Sequence, residues 1–186
     1  MTPRAVVRWI ALGRQEPDRL TLEGATLRIP GITAAWGMVA WVGVAVCTIG
    51  GALECRVAGL WEARELPLAM MLDSVGSGAV ESLAEYVNDV LCQEGTAQSL
   101  LVTNRLSPGY GAWEVTEQRA LFSLCPGHSI GVELNEACFM TPTKSISFVV
   151  GAGPRARVDH YFSQCARCWM RACAYRRVPA RTSVHR

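Results

Sequence analysis

The sequence predicts an α+β domain, and three observations carry that expectation. An uncharged, Val-rich stretch between Arg28 and Glu54 holds a strand-like run at Ala40–Ile49. Leu66–Leu91 carries a long helical stripe of Met70, Met71, Val75, Val80, Leu83, Val87 and Leu91. Strands and helices then intermix without a regular strand–helix–strand rhythm, which argues against a doubly wound parallel sheet. The chain has 186 residues, 50% of them hydrophobic and 18% charged. That length and composition suit one domain with a sizeable core and argue against disorder.

Taken in order, Ala5–Leu12 reads as a helix that gives way to a loop. Thr21–Ile29 alternates imperfectly at Leu22, Ala25, Leu27 and Ile29, as a short strand does. Trp41–Ile49 reads as a buried strand. Gly51–Trp61 has Leu53, Val57, Leu60 and Trp61 at helical spacing. The uncharged stretch is also long enough to cross a bilayer, which takes about 20 apolar residues. Pro30-Gly31, the Val42–Val46 run and the Thr48-Ile49-Gly50-Gly51 break favour a buried strand and a following helix, so no membrane span is expected.

Leu66–Leu91 is the longest helical region, with a candidate break into two helices near Gly76-Ser77-Gly78. Glu81, Glu85 and Asp89, spaced by four, form its polar face. Gln93–Gln98 reads as a polar loop and Leu100–Thr103 as a short strand. Thr116–Leu124 reads as a helix with Thr116 as N-cap and Cys125-Pro126-Gly127 as its stop. Ile130–Leu134 and Ser145–Val150 read as strands. There is no internal repeat and no clear linker. One domain is therefore expected over residues 1–178, with 179–186 a basic tail expected to be disordered.

The net charge of +2 gives no global attraction to nucleic acid. Between Arg155 and Arg186 arginines are frequent and Asp159 is the only acid, so that end is cationic. The chain has 8 Cys. Met1–Arg19 is interrupted by charges and lacks an apolar signal core, so a cytoplasmic protein with thiols or a metal centre is expected. No Gly-rich phosphate loop, dinucleotide fingerprint or Gly-x-Ser-x-Gly elbow occurs. His128, His160 and His185 have no metal-ligand spacing. No residue is assigned a catalytic role, and a hydrolase or ordinary dehydrogenase is unsupported.

Arg105-Leu106-Ser107-Pro108-Gly109-Tyr110 is the richest stretch chemically. The Arg fork matches a carboxylate. Pro-Gly favours a tight turn that brings the Tyr ring back towards the Arg. Such a loop suits an amino-acid carboxylate beside a flat or cationic group. Further on, Cys165, Cys168 and Cys173 form C-x2-C-x4-C. Thiolates so spaced can hold an iron–sulfur cluster or zinc. Cys125, Cys138 or an outside group would complete the set; the plain alternative is three reduced thiols on a basic helix.

Five ordered pieces resemble the activation domain of vitamin B12-dependent methionine synthase, in its short stand-alone form. They are Cys47-Thr48-Ile49-Gly50, Met71 to Glu81, Arg105 to Tyr110, Gly131 to Glu136, and Pro142 to Ser147. The resemblance implies a mainly antiparallel twisted sheet with flanking helices. It implies S-adenosylmethionine as ligand, held by Arg105 and Tyr110 on the Pro108-Gly109 turn. An acid of the long helix lies near the ligand in the family, and Glu85 is the best match, with Glu81 second. A further family acid, from the N-terminal part, has no counterpart here.

The implied task is repair of a cobalamin enzyme stalled as cob(II)alamin. The domain presents the sulfonium methyl to cobalt while one electron arrives from a donor such as flavodoxin or ferredoxin. The protein would thus be a component of a cobalamin-dependent methyltransferase, methionine synthase first, with the corrinoid carried on a partner module. The alternatives are a docking adaptor that does not bind S-adenosylmethionine, and an activator of another corrinoid protein.

Overall fold

The computed structural model describes residues 1–158. The Cys165, Cys168 and Cys173 motif and the domain boundary at residue 178 lie outside the described residues. The chain begins with a long strand β1 (Arg4–Glu16) and a tight hairpin of β2 (Arg19–Leu22) and β3 (Ala25–Arg28). A short helix α1 (Ile32–Trp36) and strand β4 (Gly37–Met38) lead to β5 (Trp41–Thr48). Helices α2 (Ala52–Glu62) and α3 (Leu66–Ala97) follow, then β6 (Leu101–Val102) and α4 (Gln118–Leu124). The last described elements are β7 (Glu133–Leu134), β8 (Met140–Thr141), β9 (Ser145–Gly153) and β10 (Arg155–Ala156).

Six strands form one antiparallel sheet in the order β3-β2-β1-β5-β9-β6. Its centre is β5, paired along its whole length with β1 on one side and β9 on the other. Both faces of β5 and β9 are covered, which explains why the Trp41–Thr48 run carries no charge. On one face Val42, Val44, Val46 and Val149 pack with Ile32, Trp36, Leu121 and Leu124. On the other, Ala45, Phe148 and Val150 pack under Ala84, Val87 and Leu91 of α3. A smaller cluster of Ile49, Leu53, Val57 and Val80 joins α2 to α3. Among the described residues no helix is long and apolar enough to cross a membrane.

Several expectations need correction. Ala5–Leu12 is strand, not helix: Val6, Ile10 and Leu12 face one core and Trp9 the other. Thr21–Ile29 is the outer part of a hairpin, turned at Gly24. Leu66–Ala97 is one continuous helix that runs through Gly76 and takes in all but the last residue of the expected Gln93–Gln98 loop. Gly76 is instead a contact point: a Cβ there would sit 2.8 Å from Leu53 Cδ2 of α2. Thr116 is no N-cap, because Val115–Glu117 is a 3-10 turn that runs directly into α4. Only Glu133–Leu134 of the expected Ile130–Leu134 strand pairs.

Candidate functional site

The site grows out of a break in the pairing between β9 and the chain after β6. Thr103 N donates to the Gly151 carbonyl at 2.8 Å, and Gly151 N donates to Thr103 Oγ1 at 2.9 Å. Leu106 and Val149 then exchange both backbone hydrogen bonds, at 2.9 and 2.8 Å. Three steps on one strand thus oppose two on the other, so Asn104-Arg105 holds an extra residue, as in a β-bulge. A bulge re-aims side chains, and here it lays Arg105 against Phe148, with the guanidinium carbon 5.7 Å from the ring centroid. The guanidinium is paired with Glu81 of α3. The Arg105 side chain is 20% exposed, and that of Glu81 49%.

Past Leu106 the chain turns sharply. Tyr110 N donates to the Ser107 carbonyl at 3.3 Å, and Gly109 has φ +89°. Pro at the second position, positive φ at the third and that hydrogen bond describe a type II turn. Gly109 N and Trp113 N tie the loop back on itself at 2.8 and 3.2 Å. Pro108 is buried, while Tyr110 is 60% exposed at the rim.

Between this loop, α3 and β9 lies an open cleft of about 160 Å³. Arg105, Glu81, Ser107, Pro108 and Tyr110 line it from one side, and Gln118, Met140, Ser145, Ile146 and Ser147 from the other. The floor is tightly bonded. Ser147 Oγ donates to Gln118 Oε1 at 2.6 Å, and Gln118 Nε2 donates to the Cys138 carbonyl at 3.3 Å. Ser145 Oγ donates to the Pro142 carbonyl at 2.6 Å. Lys144 Nζ reaches Asp73 at 2.7 Å and Ser77 at 2.9 Å, and Glu54 accepts from Lys144 N and Thr143 Oγ1, both at 2.7 Å. Segments far apart in sequence are thereby clamped around one opening.

Chemically, the cleft presents a cation backed by an aromatic ring, an acid, hydroxyls and a phenol. Its volume is below the roughly 300–1,000 Å³ of pockets that enclose a small molecule. It suits one end of a longer ligand that lies across the rim.

Of the residues singled out from the sequence, Arg105, Pro108 and Tyr110 line the cleft, and Gly109 shapes the turn behind it. Glu85 lies one helical turn beyond Glu81, is exposed, and is not among the lining residues; Glu81 is. Gln118, Ser145, Ser147 and Met140 were not foreseen. The Ser-x-Ser alternation inside an apolar strand was the available signal for two of them. Cys125 and Cys138 are both buried, and among the described residues no group of three His, Cys, Asp or Glu could hold a metal ion. Burial pushes the Cys125 thiol up to about 11 and that of Cys47 up to about 12, the latter against the lowering pull of Arg105.

The family model for the activation domain of vitamin B12-dependent methionine synthase matches residues 32–170, most of the chain. The chain belongs to this family. The family match takes in the whole cleft, from β5 through the Arg105 loop to β9. A solved structure of the MetH reactivation domain bound to AdoHcy superposes with a TM-score of 0.65 at 18% identity. That similarity covers 87% of this chain and 61% of the solved one, and it establishes the shared fold: a curled antiparallel sheet with helices on its faces. No curated protein matches the chain.

Proposed function

We propose that this activation domain binds S-adenosylmethionine in the Arg105 cleft and serves the reductive remethylation of cob(II)alamin on a corrinoid-binding methyltransferase module, methionine synthase first. The observation that carries the reading is Arg105 itself. It is a mostly buried guanidinium, seated on Phe148 and opening into a cleft beside an acid and a phenol.

The donor set fits the ligand. Arg105 receives the carboxylate as a charge-assisted pair. Glu81, released from Arg105, faces the ammonium. The Tyr110 ring at the rim offers its negative face to the sulfonium. The small cleft holds the amino-acid end and leaves the methyl-bearing sulfur near the surface, where a partner's corrinoid can approach. Bound S-adenosylmethionine supplies the electrophilic methyl, and an external donor of the flavodoxin or ferredoxin type supplies the electron. The chain's own contribution is orientation, worth several kcal/mol of barrier when reacting atoms are held in line. No side chain need move a proton, which agrees with the lack of His among the described residues that line the cleft.

The test is reconstitution. A methionine synthase stripped of its own activation domain and oxidised to cob(II)alamin is mixed with this chain, reduced flavodoxin and methyl-labelled S-adenosylmethionine. Label on the corrinoid that requires the chain supports the reading. Label that is no greater with the chain than without it refutes it.

A further inference from the structure

A second cleft, of about 180 Å³, lies at the opposite end of α3 from its N-terminus, between the last helical turn and the sheet. Trp9, Trp41, Leu100 and Ala152 line it. Trp9 pairs across the strands with Gly43, and its ring lies over that glycine, where an added Cβ would be 3.1 Å from the indole. Trp41 is two residues before Gly43, so the two indoles share one face as diagonal neighbours. Trp41 is 41% exposed.

The carbonyl end of a helix carries partial negative charge and favours cations. The last turn of α3 carries no basic side chain. It carries Glu94 instead, whose Oε2 accepts from Trp9 Nε1 at 2.8 Å. Glu94 makes no ion pair among the described residues. Glu94 does not line the cleft itself; it stands exposed next to the lining residue Gly95 and, through the Trp9 hydrogen bond, places a negative charge at the edge of an indole that does line it. The cleft is also apolar, so a primary ammonium, with three N–H donors to desolvate, would enter it at a larger cost than a fully alkylated one, which has none.

We propose that this cleft binds a methylated ammonium group, with Trp9 and Trp41 as its aromatic walls and Glu94 as its counter-charge. Indole faces attract quaternary ammonium groups through the ring quadrupole. A cavity of about 150 Å³ accommodates benzene, so the volume suits a trimethylammonium head. The site lies apart from the Arg105 cleft, and no residue lines both.

Choline and its uncharged carbon isostere, 3,3-dimethylbutan-1-ol, separate charge from shape. Each is titrated into the full chain while the indole N–H signals of Trp9 and Trp41 are followed by NMR. Saturable shifts with choline are expected, with the isostere about ten-fold weaker or more. Trp41→Ala and Glu94→Gln should each weaken choline, and Arg105→Ala should leave it unchanged. The proposal is overturned by equal binding of the two probes, by no saturable shift, or by variants at Trp41 and Glu94 that bind choline as the wild type does.

Discussion

Arg105 and Glu81 meet across the mouth of the cleft, one delivered by a bulge after β6 and the other by the middle of α3. The acid engages one nitrogen of the fork that the proposed ligand carboxylate would need. Glu81 is half exposed, so the pair is screened by solvent and contributes at most about 1 kcal/mol to stability. Glu81→Gln should therefore barely move the urea midpoint. It should tighten binding of an S-adenosylhomocysteine analogue that lacks the α-amino group, because the carboxylate no longer competes with Glu81 and has no ammonium to lose. Weaker binding of that analogue by Glu81→Gln would count against the competition.

Gln118 holds the cleft floor from beneath. It is 5% exposed and bridges Ser147 Oγ and the Cys138 carbonyl. Gln118→Ala leaves both groups unpaired in the interior, at a cost of roughly 1–3 kcal/mol. Urea denaturation measures it. A loss below a few tenths of a kcal/mol would mean that the floor does not depend on this bridge.

Two glycines of α3 should respond oppositely to alanine. At Gly76 a Cβ would press on Leu53 and stand 3.3 Å from Lys144 Cε, so Gly76→Ala should destabilise by about 1–3 kcal/mol. At Gly78 nothing lies within 4 Å, and Gly78→Ala should stabilise by up to about 1 kcal/mol through helix propensity. Thermal midpoints of the two variants test the signs.

Stability should fall in alkali, in part through Cys47. Its thiol titrates at about 12 in the fold against 9.0 when unperturbed. Between those values the unfolded chain holds fewer protons at this site than the folded one, so unfolding becomes easier as pH rises. Well below pH 9 the group is neutral in both states and has no effect on the slope. Cys47→Ala should flatten the fall in stability between pH 9 and 11. An unchanged slope would show that the thiol is solvated.

How much of this was legible in the sequence depends on the element. The β5 strand was plain, because burial on both faces excludes charge and leaves a Val-rich run. The β1 strand was not. Its apolar residues divide between two cores, and Val6-Val7 with Trp9-Ile10 mimics a helical stripe over so short a span. Gly76-Ser77-Gly78 suggested a break, whereas Gly76 serves close packing against α2.

At the site, the Arg-turn-Tyr loop could be read directly from residue types that dictate their own geometry. Which acid meets Arg105 could not. Glu81 and Glu85 share the polar face of α3, and only the bulge at Asn104-Arg105 selects the turn that Arg105 reaches. Gln118 was hidden because nothing in a short helix marks one polar residue as buried.

Calorimetry with S-adenosylmethionine tests the central claim most directly. Wild type should bind, and Arg105→Ala, shown by its denaturation midpoint to be folded, should bind about ten- to a hundred-fold more weakly through loss of a charged hydrogen bond. Absence of binding by the wild type, or equal affinity in the two proteins, would contradict the assignment of Arg105 as the carboxylate anchor.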